Sequence, residues 1–180
     1  MTLLELIRGT LEQLDRGTDA QTIEAWRDKL TRYFNDALMD LAAAAPPRHA
    51  EAIRLTNGAF SADSLEKECQ KVLAVYIRGQ RWPFYYGPSH REVRIPGQKD
   101  GEALVVYRTA MKELSIDTDV PELPESYHSA LILYAVGRER SMGDGTSMAS
   151  ARACFELYAG KRRSLIQNYG NLDTRFYNCF

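Results

Sequence analysis

The first 46 residues carry the hydrophobic spacing of two amphipathic helices. Between positions 3 and 15, leucine and isoleucine recur every three or four residues, which places them on one helical face. A polar turn follows, and a second apolar stripe with a charged opposite face runs through positions 22–41. Asp19 or Thr22 can cap this second helix, and the prolines at 46 and 47 end it. The spacing therefore predicts a helical pair over residues 1–46.

After these prolines the pattern changes to the alternation typical of strands. Short runs rich in β-branched and aromatic residues are separated by turn residues, among them Asn57 and Gly58. The predicted strands are 52–55, 72–77, 93–95, 103–107 and 112–116. An acidic linker over 117–119 closes the block. Residues 47–120 are therefore predicted to form a β-rich subdomain.

Helical spacing returns in residues 121–170, which predict a hairpin of two helices. Pro124 suits the first turn of a helix, and the glycine-rich break at 143–145 ends that helix. Thr146 or Ser147 can cap the next one, whose apolar positions are Ala149, Ala153, Phe155, Leu157, Tyr158, Leu165 and Ile166. Small residues predict a close contact between the two helices, with Ala130, Ala135 and Gly137 facing Ala149, Ala151, Ala153 and Gly160.

The order of these segments predicts the architecture. Two helices, a block of strands and two further helices place the outer helices in one body, with the strands inserted between them. The predicted fold class is α+β, with a four-helix, bundle-like core and an inserted antiparallel β subdomain. Residues 171–180 have no period and are predicted to form an extended C-terminal arm.

Composition and charge narrow the function classes. The chain has 180 residues, 44% of them hydrophobic, which is enough for a real core. A net charge of −1 argues against a basic nucleic-acid-binding protein. Residues 1–47 carry −3 and residues 146–180 carry +3, which suits ends that meet different partners or is ordinary variation between solvated helix faces. The first residues do not resemble a signal peptide, and no apolar run reaches membrane-spanning length.

Candidate catalytic and metal-binding groups are scattered along the chain. The histidines His49, His90 and His128 stand apart from one another and from the cysteines, so their spacing predicts no metal site. Cys69 or Cys154 could pair with His128 as nucleophile and base, although small core cysteines explain the same residues. No phosphate-binding glycine loop or nucleophile elbow occurs in the sequence. We therefore predict no catalytic residues, no metal and no cofactor.

Aromatic and arginine side chains, which dominate protein interfaces, cluster in one segment of the β-rich block. Arg78, Arg81 and Arg91 flank four aromatic residues, which are Trp82, Phe84, Tyr85 and Tyr86. These aromatics are predicted to bind a partner protein. The alternative is that they form the core of the small sheet.

The C-terminal part of the chain supplies the other predicted partner-binding residues. Arg162 and Arg163 either complement the dipole at the end of the last helix or contact an acidic patch on a partner. The final residues are unusually aromatic for a disordered tail, and the predicted contacts there are Arg175, Phe176, Tyr177 and Phe180. We expect this arm to dock in a groove of a neighbouring subunit or of another protein, or to fold back on its own domain.

One part of the sequence resembles a known family. Leu123, Pro124 and Glu125 precede the start of a helix that carries Tyr127, His128, Ala130 and Leu131. A polar turn then leads to an alanine-rich helix with Ala151, Ala153, Phe155, Leu157 and Tyr158. This pattern resembles the head-to-tail adaptor, or connector, proteins of tailed bacteriophages. The resemblance covers about the last third of the chain and, more faintly, the helix over 22–41.

The resemblance implies a structural function. Such a protein would form a homo-oligomeric ring, of twelve copies by analogy, at the head–tail interface of a virion assembled in the host cytoplasm. It would bind the portal protein on one side and a tail or nozzle protein on the other, and DNA would pass through its channel during ejection. No membrane is implied.

Two other functions remain open from the residues alone. The helical hairpin over 125–169 could act as a helix-turn-helix in a DNA-binding packaging or regulatory protein, although Arg152 is the only basic residue near the start of its second helix. A thiol hydrolase built on one of the cysteines is the third alternative.

Overall fold

The computed structural model describes residues 1–143 and 145–170. Helices and antiparallel strands are both present, so the predicted α+β class is confirmed. The chain divides into two compact units. Met1–Ala45 and the described residues from Met111 onward form the helical unit, and Pro46–Ala110 form the β unit.

Within the described residues the helical unit has four α-helices. They are α1 (Leu3–Gln13), α2 (Ala20–Ala44), α3 (His128–Arg140) and α4 (Gly145–Leu165), and a π-helical turn, Ile166–Gly170, follows α4. Thr2 and Glu5 form a capping box at the start of α1. The Asp19 side chain accepts hydrogen bonds from the N–H groups of Gln21 and Thr22, so Asp19 rather than Thr22 caps α2.

The core of the helical unit is built around α3. Buried residues lie all around the axis of α3, as expected for a helix covered on every side, and it contacts α1, α2 and α4. A β-carbon on Gly9 of α1 would lie 3.1 Å from Cδ1 of Ile132, so α1 and α3 pack closely. The large side chains fully buried in this core are Leu3, Leu6, Ile7, Leu11, Leu30, Phe34, Leu38, Leu41, Leu131 and Leu165.

The contact between α3 and α4 follows the prediction only in part. Ala130, Ala135 and Gly137 of α3 are buried, and so is Ala151 of α4. The predicted contact positions Ala149 and Ala153 are wrong because both are exposed, and no atom lies within 4 Å of a β-carbon built on Gly160. On α4 the buried residues are Ala151, Tyr158 and Leu165, one at every seventh position. The core side of α4 therefore follows this one row, and half-buried or exposed residues occupy the rest of its surface.

Residues 111–120 belong to the helical unit, and the strand predicted at 112–116 is wrong. Leu114 is buried in the helical core. The Asn35 side chain accepts a hydrogen bond from the N–H of Leu114 at 2.9 Å and donates one to its carbonyl at 3.0 Å. A side chain of α2 therefore satisfies the backbone groups that a strand would offer to its neighbour.

Asp119 fixes the end of this segment. Its carboxylate accepts hydrogen bonds from the N–H groups of Ile116 at 2.9 Å and Ser115 at 2.8 Å, and from the Lys112 ammonium at 3.0 Å. These partners hold the pKa of Asp119 well below its ordinary value of 3.8. The Asp119 carbonyl accepts the N–H of Leu3 at 2.8 Å, so the segment also covers the start of α1.

The described residues of the β unit form seven strands in two antiparallel sheets. In chain order they are β1 (Arg48–Leu55), β2 (Ala59–Ser61), β3 (Cys69–Ile77), β4 (Gln80–Trp82), β5 (Tyr85–Tyr86), β6 (Glu92–Arg94) and β7 (Gly101–Thr109). One sheet has the order β1-β7-β3-β4 and the other β2-β6-β5. The predicted strands 52–55, 72–77 and 103–107 lie within β1, β3 and β7, and 93–95 overlaps β6.

Two-residue turns with positive φ connect two pairs of consecutive strands in this unit. Asn57 and Gly58, at φ values of 53° and 70°, connect β1 to β2 as the sequence predicts. Arg78 and Gly79, at 53° and 79°, connect β3 to β4. The central strand β7 then buries Ala103, Val105, Tyr107 and Thr109 on one face.

Candidate partner-binding surfaces

The predicted aromatic segment of the β unit is split between core and surface. Trp82 ends β4 opposite Val75, and Trp82 and Phe84 are half-buried against the core of this unit. For these two residues, packing in the sheet accounts for the aromatic side chain.

Tyr85 and Tyr86 are the exposed part of that segment. The Tyr86 hydroxyl accepts a hydrogen bond from the N–H of Val72 at 2.9 Å, and its ring meets Phe84 edge-on with centroids 6.0 Å apart. Tyr85 lies opposite Arg94 in the sheet and is 52% exposed. Tyr85 therefore offers the most accessible ring of the four to a partner.

Arginines near this segment already have partners within the unit. Arg81 donates to the carbonyl of Leu73 at 3.1 Å, and a nitrogen of Arg91 lies 3.4 Å from a carboxylate oxygen of Asp63. The arginines therefore anchor loops and strands as well as surrounding the tyrosines.

The basic residues at the end of α4 have different environments. Arg162 donates to the Asp40 carboxylate of α2 at 2.8 Å, and the Tyr158 hydroxyl donates to the same oxygen at 2.7 Å. Burial and the adjacent carboxylate raise the pKa of Tyr158. Arg162 thus holds α4 against α2, whereas Arg163 is exposed to solvent.

One flank of α4 carries an apolar groove that the sequence analysis missed. Met148, Ala151, Phe155 and Ala159 line it, and its volume is about 400 Å³. Met148 is 58% exposed. The surface therefore presents apolar side chains to solvent at the edge of the contact between α3 and α4.

Phe155 is held in place at the floor of this groove. Its ring meets Tyr134 edge-on, with centroids 6.1 Å apart. A β-carbon on Gly137 would lie 3.1 Å from the Phe155 ring, so the glycine makes room for it. Leu157, which the sequence analysis placed with the apolar stripe, is 61% exposed on the opposite flank of the buried row. The seven-residue spacing of the buried row is the signal that separates these two flanks.

His128 does not form a thiol–imidazole pair. One ring nitrogen, Nδ1, lies 2.8 Å from the Met1 nitrogen and the other, Nε2, lies 2.9 Å from the carbonyl of Leu123. Cys154 packs against the helical core, and burial raises the pKa of the Cys69 thiol. Cys69 therefore lacks the lowered pKa that activates a nucleophilic thiol.

The start of α4 offers few groups that could read DNA bases. Arg152 lies 3.2 Å from the carboxylate of Glu156, and the residues from Gly145 to Ser150 are uncharged. The remaining predicted contacts, Arg175, Phe176, Tyr177 and Phe180, lie outside the described residues.

No protein-family model matches the chain, and no curated protein matches its sequence. The function is therefore inferred from the residues and the structure alone. Among the described residues, no helix is both long enough and apolar enough to cross a bilayer.

Proposed function

We propose that this chain is a non-enzymatic virion protein, a head-to-tail adaptor of a tailed bacteriophage. In this proposal it forms a ring at the head–tail interface, joins the portal protein to a tail or nozzle protein, and lets DNA pass through its channel. Assembly takes place in the host cytoplasm. In this proposal the helical unit is the bundle-like body of the ring, and residues 171–180, which lie outside the described residues, contribute to binding a neighbouring protein.

The observation that carries the proposal is the apolar groove on α4. On α4 the exposed Met148 lies beside the half-buried Phe155, and apolar side chains exposed together in a groove offer a docking site for another protein. In this proposal a second copy of this chain binds in the groove. Its docking surface would be the outer face of α2, where Met39 is 55% exposed beside the acidic Asp36.

Charge complementarity supports this pairing. The α4 end of the chain is basic and the α1–α2 end is acidic, with +3 over residues 146–180 and −3 over residues 1–47. Arg152 on the groove rim is paired with Glu156, and it would exchange this partner for an acidic side chain of α2 in the next copy. An interface between two different surfaces of the same chain generates a closed ring when its rotation closes.

Binding to a further protein is assigned to the exposed tyrosine of the β unit. Tyr85 is accessible, and tyrosine is enriched at the centres of interfaces. A net charge of −1 suits a channel through which DNA moves without being held, since strong phosphate contacts would impede transit.

The test is imaging and mass measurement of the full chain, alone and with a portal protein. We expect rings in negative stain and a mass of many copies, either from the chain alone or once the portal is added. Met148→Glu should abolish ring formation because it places a charge in the groove. Leu157→Glu is the matched control on the opposite flank of the same helix and should leave rings intact.

Two results would overturn the proposal. One is a protein that stays a monomer both alone and with the portal. The other is a low-salt gel shift in which the chain binds duplex DNA tightly, which would favour a DNA-binding packaging protein instead.

A further inference from the structure

A polar cluster lies at one end of the inner face of the larger sheet. His49 and Glu51 come from β1, and Glu66 comes from the segment that precedes β3. His49 Nε2 lies 3.8 Å from Oε2 of Glu51 and 3.5 Å from Oε2 of Glu66. One ligand atom from each of the three residues lies within 4.8 Å of the other two.

Glu51 occupies a position that the sheet otherwise gives to apolar residues. Every second residue of β1 points to the same face of the sheet, and on this face lie His49, Glu51, Ile53 and Leu55. Ile53 and Leu55 pack in the core of the β unit. The Glu51 side chain is only 15% exposed. A carboxylate at such a site must be compensated by hydrogen bonds and by positive charge.

Hydrogen bonds hold the Glu51 carboxylate in one orientation. The hydroxyl of the buried Tyr107 donates to Oε2 at 3.0 Å, and the N–H of Glu66 lies 3.0 and 3.1 Å from the two oxygens. The N–H of Lys67 in turn donates to the Tyr107 hydroxyl at 3.2 Å. Outer-shell partners of this kind fix metal ligands in proteins.

The spacing of the donor atoms suits a small metal ion. Ligands at 2.0–2.1 Å from a tetrahedral zinc ion are about 3.3 Å apart, close to the separations around His49 Nε2. Glu66 is 73% exposed at its side chain and has room to close the remaining gap. An imidazole nitrogen with carboxylate oxygens favours a first-row transition metal over calcium or magnesium.

We propose that His49, Glu51 and Glu66 form a binding site for a divalent transition metal ion such as Zn²⁺, with water at the remaining positions. The ion would join the segment before β3 to β1 and neutralise two carboxylates that face one imidazole. This site is independent of the adaptor function, because all three ligands lie within the β unit and none belongs to the partner-binding surfaces.

The test is a calorimetric titration of the full chain with Zn²⁺, at a pH above the ordinary histidine pKa of about 6.5. We expect one zinc ion to bind with an affinity at least about 10-fold greater in the wild-type chain than in Glu66→Gln. His49→Ala should weaken binding further. Zinc should also raise the melting temperature of the wild-type chain more than that of Glu66→Gln.

His90→Asn is the matched control, because His90 is an exposed histidine of the same unit outside the cluster and asparagine tolerates its φ of 54°. It should bind zinc as the wild type does. All variants keep the three cysteines, so binding to thiols contributes equally to each.

Equal zinc affinity in the wild type and Glu66→Gln overturns the proposal, as does a wild-type chain that takes up no zinc. If His49→Ala fails to fold, Glu66→Gln still decides the question, because its side chain is exposed and the N–H that binds Glu51 is retained.

Discussion

The helical unit and the β unit keep their folds by different means. In the helical unit, large aliphatic side chains from α1, α2, α3 and α4 meet in one apolar core. In the β unit the core is smaller, and side chains accept hydrogen bonds from backbone N–H groups of loops and of β3. Glu51 accepts from Glu66, Tyr86 from Val72 in β3, and Asp100 from Asn57. The stability of the helical unit is therefore expected to depend mainly on how fully its core is filled. The stability of the β unit is expected to depend more on individual hydrogen bonds.

This difference has a physical basis. Helices satisfy their own backbone groups, so only their termini and faces need partners. Short strands joined by irregular loops leave backbone N–H groups that must find acceptors elsewhere. The predictions below test the distinction, from the largest expected effect to the smallest.

A cavity at the centre of α3 should have the largest effect. Leu131 is completely buried, so Leu131→Ala should lower the free energy of unfolding by about 3 kcal/mol or more. The measurement is urea denaturation followed by circular dichroism. Leu157→Ala removes the same atoms from an exposed site on α4 and should change stability by less than about 0.5 kcal/mol.

Removal of one tyrosine hydroxyl should lower stability more in the β unit than in the helical unit. Tyr107→Phe deprives Glu51 and the Lys67 N–H of a buried partner, and should cost about 2 kcal/mol by denaturant unfolding. Tyr127→Phe is the counterpart in the helical unit, where the hydroxyl contacts the side chains of Ser164 and Asn168. These partners are less buried and can bind water, so the loss should be under about 1 kcal/mol. Equal losses would contradict the distinction.

Acid should weaken one of the polar anchors of the helical unit, the Asp119 carboxylate. The pKa of Asp119 is lowered in the folded chain, so its stabilising effect is present above its ordinary value of 3.8 and is lost as the pH falls below that value. Asp119→Asn should melt at a lower temperature than the wild type near neutral pH. The two melting temperatures should converge as the pH falls below 3.8.

Asp28→Asn, at an exposed position on α2, provides the control for this pH series. Its melting temperature should follow the wild type throughout. A constant gap between Asp119→Asn and the wild type at every pH would show that the carboxylate charge is not the stabilising feature.

The smallest effect concerns two glycines of the helical hairpin. Gly160→Ala should stabilise the chain by about 0.5–1 kcal/mol, since alanine favours the helix and its β-carbon meets no atom within 4 Å. Gly137→Ala should forfeit this gain, because its β-carbon would lie 3.1 Å from the Phe155 ring. Thermal melts of the two variants give the comparison; a similar gain in both would mean that Phe155 moves freely.

The sequence predicts the helices better than the strands, and the reason is periodicity. The spacing of apolar residues predicted the bounds of α1 and α2 to within a few positions, because each helix buries its apolar residues on one face. The strand predicted at 112–116 was wrong because one buried residue, Leu114, between polar neighbours produces the alternation typical of a strand. The hydrogen bonds that fix this segment come from Asn35, which is distant in the sequence. Short strands such as β2 and β5 carry too few residues for a period to emerge.

The surfaces were predicted less well than the fold. Aromatic content identified the segment around Tyr85, but sequence alone could not divide it into buried and exposed rings. The groove on α4 was missed because Phe155 and Leu157 both seemed to belong to one apolar stripe. The histidine cluster was missed because its partners are carboxylates, one two residues along a strand and one in a separate segment, rather than histidines at helical spacing.

The β unit begins and ends on adjacent strands. β1 and β7 pair from Arg48 and Arg108 onward, and the N–H of Thr109 donates to the carbonyl of Pro47. The two ends of the β unit therefore lie side by side on neighbouring strands. A domain whose two termini lie together can be inserted or replaced at such a junction without changing the surrounding helices. The binding surface of the β unit can therefore change while the helical unit is kept.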